Sequence, residues 1–169
     1  MPYRDIYPGQ IYHVYGRGVL KMTLFKEKRD YEKFLNKLFE YKLKYNVELL
    51  TICLMPNHFH LLVRDLDESG ALEVSGVSGG TFVGGSGLSS VSKLMQCLLN
   101  SYAHYFICKY KHSGAVFQGR FQSKIINSES YFLQVQDYIM ENPVRKGLVK
   151  KREEWPYSTR CLPAPGAGL

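Results

Sequence analysis

Apolar and aromatic positions along the chain change period from two to between three and four and back, and those changes delimit the predicted elements. Ile11-Tyr12-His13-Val14-Tyr15 is rich in β-formers and runs into Gly16-Arg17-Gly18, a strand ending in a turn. From Glu27 to Tyr45, Tyr31, Phe34, Leu35, Leu38, Tyr41 and Tyr45 recur at three- and four-residue steps, with Lys and Glu on the wet side. That is an amphipathic helix, and Asn46 is placed to stop it. Val47 to Leu54 is almost continuously apolar, as a buried strand requires. Met55-Pro56-Asn57 supplies turn chemistry, and His58 to Arg64 completes a hairpin. Val91 to Tyr110 is a second amphipathic helix that Ser89 or Ser90 can cap. Gln122 to Asn127 suits a fourth strand. Ser128 can cap a third helix, which carries Tyr131, Val135 and Ile139 and is expected to end before Pro143. The order β-α-β-β-α-β plus one helix is the ferredoxin-like pattern of the α+β class: one antiparallel sheet with helices on one face.

Two stretches break the pattern. Ser69 to Ser90 holds seven of the fifteen glycines, one acidic residue and no Lys or Arg. Such a Gly/Ser-rich insert is flexible, and without positive charge it reads as a spacer rather than a flap that grips phosphates. Cys161 to Leu169 is rich in Pro and Gly and is expected to be disordered. Residues 1–160 are read as a single domain, large enough to bury roughly two-thirds of its unfolded surface without disulfides. Cys53, Cys97, Cys108 and Cys161 form no CxxC pair. The N-terminus lacks an apolar signal-peptide core, and no apolar run reaches membrane-spanning length. The expected setting is reducing and cytoplasmic.

Charge and aromatics change the functional picture. A net charge of +7 and a pI near 9.2 draw the protein toward polyanions, although charge alone is equally a matter of solubility. Thirteen Tyr and nine Phe, several among basic residues, suit stacking on unpaired bases. In His58-Phe59-His60, residues two apart on a strand point to one face, so the imidazoles project together while Phe59 turns to the opposite, helix-packed side. Paired imidazoles are ready metal ligands; they are equally two half-exposed histidines on a sheet surface. Gln134, Tyr138 and Asn142 line one face of the third helix. If that helix lies beside the histidine strand, Asn142 can offer a carbonyl oxygen as third ligand with Tyr138 one turn away. Read alone, Tyr138 is also a core or interface aromatic and Asn142 a helix cap.

Several motifs in order resemble a known family. Tyr12-His13-Val14-Tyr15-Gly16-Arg17-Gly18, Leu54 to Val63, Gly114 to Arg120 with Phe121, Tyr138 to Val149 and Trp155-Pro156-Tyr157-Ser158 look like the single-tyrosine HUH transposases. They resemble the branch that includes transposases associated with repetitive extragenic palindromes. The resemblance spans about residues 3 to 160 and leaves out the insert. It implies a metal-dependent nuclease-transposase, associated with the nucleoid of a bacterial-type cell, that cleaves and rejoins single-stranded DNA and recognises a DNA hairpin. His58 and His60 match the HUH histidines, Tyr138 the nucleophile and Asn142 the third metal ligand. The implied metal is Mg²⁺ or Mn²⁺. Attack by Tyr138 would leave a covalent 5′-phosphotyrosine and a free 3′-OH, which a second 3′-OH can resolve without ATP. Gly16 departs from the Asn or other polar residue of many relatives, at a position expected to touch DNA.

DNA contacts are expected from Arg17 and from the basic residues of the C-terminal half: Lys109, Lys111, Arg120, Lys124, Arg145, Lys146, Lys150 and Lys151. Two other readings fit parts of the pattern. One is a non-catalytic ferredoxin-like module that stacks single-stranded nucleic acid on its sheet. The other is a domesticated nuclease that no longer mobilises an element. Monomer and homodimer both remain open, with the tyrosine serving its own site or its partner's.

Overall fold

The computed structural model describes residues 6–7, 9–66 and 89–161. The expected spacer up to residue 88 and the tail beyond 161 lie outside the described residues. The chain runs β1 (Ile11–Arg17), α1 (Lys28–Lys44), β2 (Val47–Met55), β3 (His58–Asp65), α2 (Ser90–Tyr110), β4 (Gln122–Ile126), α3 (Glu129–Arg145) and β5 (Ser158–Arg160). The strands form one five-stranded sheet in the order β4-β1-β3-β2-β5, every pair antiparallel. Its first four strands have the ferredoxin-like order, in which β3 separates β1 from β2 and β1 separates β3 from β4. The fold is α+β, with three α-helices among the described residues.

Local chemistry sets the element ends. Ser89 Oγ accepts from Ser92 N at 3.2 Å, and Ser128 Oγ accepts from Tyr131 N at 3.2 Å, so both predicted serine caps form. Asn46 ends α1 with a left-handed φ of 51°, a conformation Asn adopts at lower cost than most residues.

The helices do not share one face. Phe34 and Leu38 of α1 and Leu94, Leu98, Tyr102 and Phe106 of α2 pack against Tyr12, Val14, Phe59, Leu61 and Val63. Helix α3 lies on the opposite face, where Val135 and Ile139 meet Ile11, Leu50, Cys53, Met55, Leu62 and Ile126. Strand β2 alternates apolar side chains between both layers, with a bulge between Leu49 and Thr51 that shifts its register. A strand that is apolar on both faces needs cover on both, and α3 supplies the second cover. Burying each of Val135 and Ile139 is worth ~1.5–3 kcal/mol.

Two boundaries differ from the sequence reading. Helix α3 continues through Pro143 to Arg145. Pro143 is buried and only one short turn follows it. Lys146 N bonds Asn142 O at 3.0 Å and Leu148 N bonds Pro143 O at 2.9 Å, so the chain closes its last turn around the ring. Strand β5, three residues long, was not predicted. It is held by Trp155 Nε1 donating to Leu54 O at 2.9 Å and by Tyr157 stacked on Tyr31, ring centroids 3.6 Å apart. The Trp-Pro-Tyr-Ser segment thereby straps the chain end to β2.

Asp30 is fully buried between α1 and α2. It accepts from Lys26 N, Glu27 N, Tyr105 Oη and Tyr110 Oη, and Lys109 Nζ lies 2.6 Å away. Lys109 therefore holds two helices together on the face opposite the histidines and is withdrawn from the DNA-contact set. No described helix is long and apolar enough to cross a membrane.

Candidate active site

Strand β3 turns His58 and His60 toward the α3 side and Phe59 toward α1 and α2, as alternation requires. The two imidazoles stand perpendicular with centroids 5.1 Å apart. Tyr138 of α3 meets His60 edge-on at 5.9 Å, so one chain brings its own tyrosine to its own histidines. The guanidinium of Arg145 lies 5.4 Å from the centre of the Tyr138 ring. Tyr138 is 40% exposed and opens on a cleft of about 380 Å³ lined by His13, Tyr15, His60, Lys124, Tyr131, Gln134, Val135 and Tyr138. His58 and Asn142 are not among its lining residues.

His13 was not foreseen. It projects from β1 onto the same face, stacks on His60 at 5.1 Å, and places its Nε2 2.9 Å from His60 Nδ1. It also meets Tyr138 edge-on at 6.5 Å.

The hydrogen bonds test whether a metal fits. Asn57 Nδ2 donates to Lys21 O at 3.3 Å, so its Oδ1 is the atom facing His58 Nδ1 at 2.6 Å. An amide oxygen only accepts, so His58 carries its proton on Nδ1 and keeps the Nε2 lone pair. His60 Nδ1 is likewise engaged, by His13, which leaves Nε2 as its other ring nitrogen. Burial pushes the imidazolium pKa of His13 down to about 4, with help from Lys124. Burial, then Lys146 and Arg17, bring His58 to about 4, and burial, then His13 and His58, bring His60 to about 3. Neutral imidazole is the form that binds a metal. Asn142 is buried, and its amide nitrogen donates to Tyr138 O at 3.0 Å, which leaves the carbonyl oxygen for another partner. Among the described residues no group of three or more His, Cys, Asp or Glu could hold a metal, so the histidines gain no third ligand of those types. Neutral imidazole nitrogens and an amide oxygen are, by their chemistry, donors that a divalent ion accepts.

The predicted basic residues separate by position. Lys124 is the β4 neighbour of His13 and lines the cleft, Arg145 covers Tyr138, and Lys146 closes α3 beside His58. Arg17 is the β1 neighbour of His58, and its Nε donates to Gln118 Oε1 at 2.6 Å. Arg120 is exposed in the loop before β4, two residues past Gln118. Gly16 faces away from all of these. A Cβ there would stand 2.8 Å from Phe59 Cζ, so the glycine makes room for the core and is no substitute for a DNA contact.

A ferredoxin-like sheet thus sets a His-Phe-His strand against a helix-borne tyrosine. No protein-family model matches the chain. It is 28% identical over 117 residues, 68% of its length, to a provisionally named REP-associated tyrosine transposase of Haemophilus influenzae. That match spans 60% of the relative's length. A solved REP-associated tyrosine transposase bound to a REP hairpin superposes with a TM-score of 0.70, over 94% of this chain and 82% of that one, at 21% identity. The chain is thus similar in sequence to a curated REP-associated tyrosine transposase and shares its fold with a solved one.

Proposed function

We propose that the chain cleaves and rejoins single-stranded DNA through Tyr138, with a hairpin as the recognised form. The observation that carries this reading is the approach of Tyr138 to His60 within one chain, at the mouth of a cleft edged by cations. Tyr138 Oη attacks the scissile phosphorus; the Oη–P bond forms, the P–O3′ bond breaks, and the 3′ oxygen leaves and is protonated. The product is a 5′-phosphotyrosine that keeps the energy of the phosphodiester, so a second 3′-OH can reverse the exchange on a new strand. His58 and His60 through Nε2, and Asn142 through its carbonyl, would hold a divalent ion, Mg²⁺ or Mn²⁺. Such an ion supplies charge neutralisation and orientation at the phosphate. Arg145 and Lys124 flank the attacking atom and bind the phosphate backbone, with Lys146 and Arg17 extending the track past His58 and Arg120 standing in the loop beyond Gln118.

Stacking of bases on an open sheet fits the fold less well, because α3 packs on the face that such a module would use.

Incubation of a 3′-labelled hairpin oligonucleotide with Mn²⁺ should give a protein–DNA band on a denaturing gel for wild type and none for Tyr138→Phe. Tight binding with no adduct from wild type on any hairpin with cleavable flanks would turn the reading to a binder. An adduct that survives in Tyr138→Phe would assign the wrong nucleophile.

A further inference from the structure

We infer that His13 is a positioning residue for the metal ligand His60: it accepts a hydrogen bond from His60 Nδ1–H and so fixes the tautomer that leaves His60 Nε2 free. The inference rests on the proposed metal reading and deepens it.

His13 Nε2 and His60 Nδ1 are 2.9 Å apart, so one proton lies between them. If His13 holds it, a neutral His60 must carry its own proton on Nε2, and that nitrogen has no lone pair. If His60 holds it, Nε2 is a ligand. His58 is already in the second state, because Asn57 can only accept from it. Both candidate ligands then present the same nitrogen, each oriented from behind by a different neighbour. The fold builds the His13 contact deliberately. His13 is buried, it stacks on His60 with the rings tilted by only 27°, and it reaches diagonally across the β1–β3 ladder, where its Cα partner is Leu62 and that of His60 is Tyr15. Partners of this kind behind a metal-bound histidine contribute ~10–100-fold to metal affinity.

Nitrogen NMR on metal-free wild-type protein at neutral pH is the first test. The expected result is a protonated Nδ1 and an unprotonated Nε2 on His60, with an unprotonated Nε2 on His13. The reverse pattern overturns the proposal. Mn²⁺ binding, followed by electron paramagnetic resonance without DNA, is the second. His13→Phe and His13→Leu both remove the acceptor, and whichever melts like wild type is used. Its Mn²⁺ affinity should fall ~10–100-fold, and His13→Gln, whose amide oxygen can accept, should recover most of the loss. If His58→Ala loses Mn²⁺ while the His13 variant binds like wild type, this proposal fails alone. If wild type binds no Mn²⁺, the metal reading fails and takes this proposal with it.

Discussion

Phe59 lies fully buried between the sheet and the two helices on its far side, and Gly16 is the residue that lets it sit there. A methyl at position 16 would meet the Phe59 ring at 2.8–2.9 Å, and Phe34 and Phe117 pack around that ring. Gly16→Ala should therefore destabilise by ~1–3 kcal/mol, read from chemical denaturation, with partial recovery in Gly16→Ala/Phe59→Leu. No loss would show that the ring has room. The three histidines make a second residue-scale prediction. They are neutral in the folded protein down to about 4, 4 and 3, against ~6.5 in an unfolded chain. Between those values the unfolded chain binds more protons, so their contribution is complete above pH ~6.5 and drains away as the pH falls toward 4. Lys124 opposite His13, and Lys146 and Arg17 beside His58, push in the same direction. The melting temperature should drop between pH 7 and 4.5, and less steeply in His13→Phe; a flat profile contradicts this. The His58–His60 pair was legible because its two-residue spacing fixes a shared face. His13 was not: its partner is 47 residues away, and strand register, which decides the pairing, leaves no mark in either segment.

At the scale of elements, the tyrosine is only as well placed as α3. That helix is held by Val135 and Ile139 in the second core layer, by Gln136 Nε2 donating to Thr51 Oγ1 at 3.0 Å, and by Asp137 facing Arg160 of β5 at 2.6 Å. The C-terminal strap thus touches both β2 and α3. Trp155→Ala should cost ~2–3 kcal/mol, somewhat below a fully buried tryptophan because Trp155 is half-buried. It should also lower the yield of covalent adduct by loosening α3; an unchanged melting temperature would remove the strap from the account. The long elements were legible from periodicity and caps. The short β5 had too few residues to show a period, and the passage of α3 through Pro143 is a case of tertiary burial overriding a local preference. The side of the sheet taken by α3 was implied by the apolar run Val47 to Leu54, which a sheet covered on one face does not need.

For the whole molecule, the net charge of +7 matters through its placement. Lys109 is consumed in joining α1 to α2, and Arg152 is paired with Asp137, Glu141 and Glu153. Lys124, Arg145 and Lys146 are gathered around the cleft and the histidines. Replacing Lys124 or Lys146 with Gln should weaken binding of a hairpin oligonucleotide to a similar degree for different sequences and reduce the log–log salt slope by ~1 each. An unchanged slope would place the DNA elsewhere. The central claim is that Tyr138 becomes covalently joined to DNA. Its most direct test is peptide mass spectrometry of wild-type protein after reaction with a hairpin oligonucleotide and Mn²⁺, followed by nuclease digestion. The account predicts a 5′-nucleotide remnant on the peptide carrying Tyr138. A remnant on another residue, or cleaved DNA with none attached to protein, would contradict it.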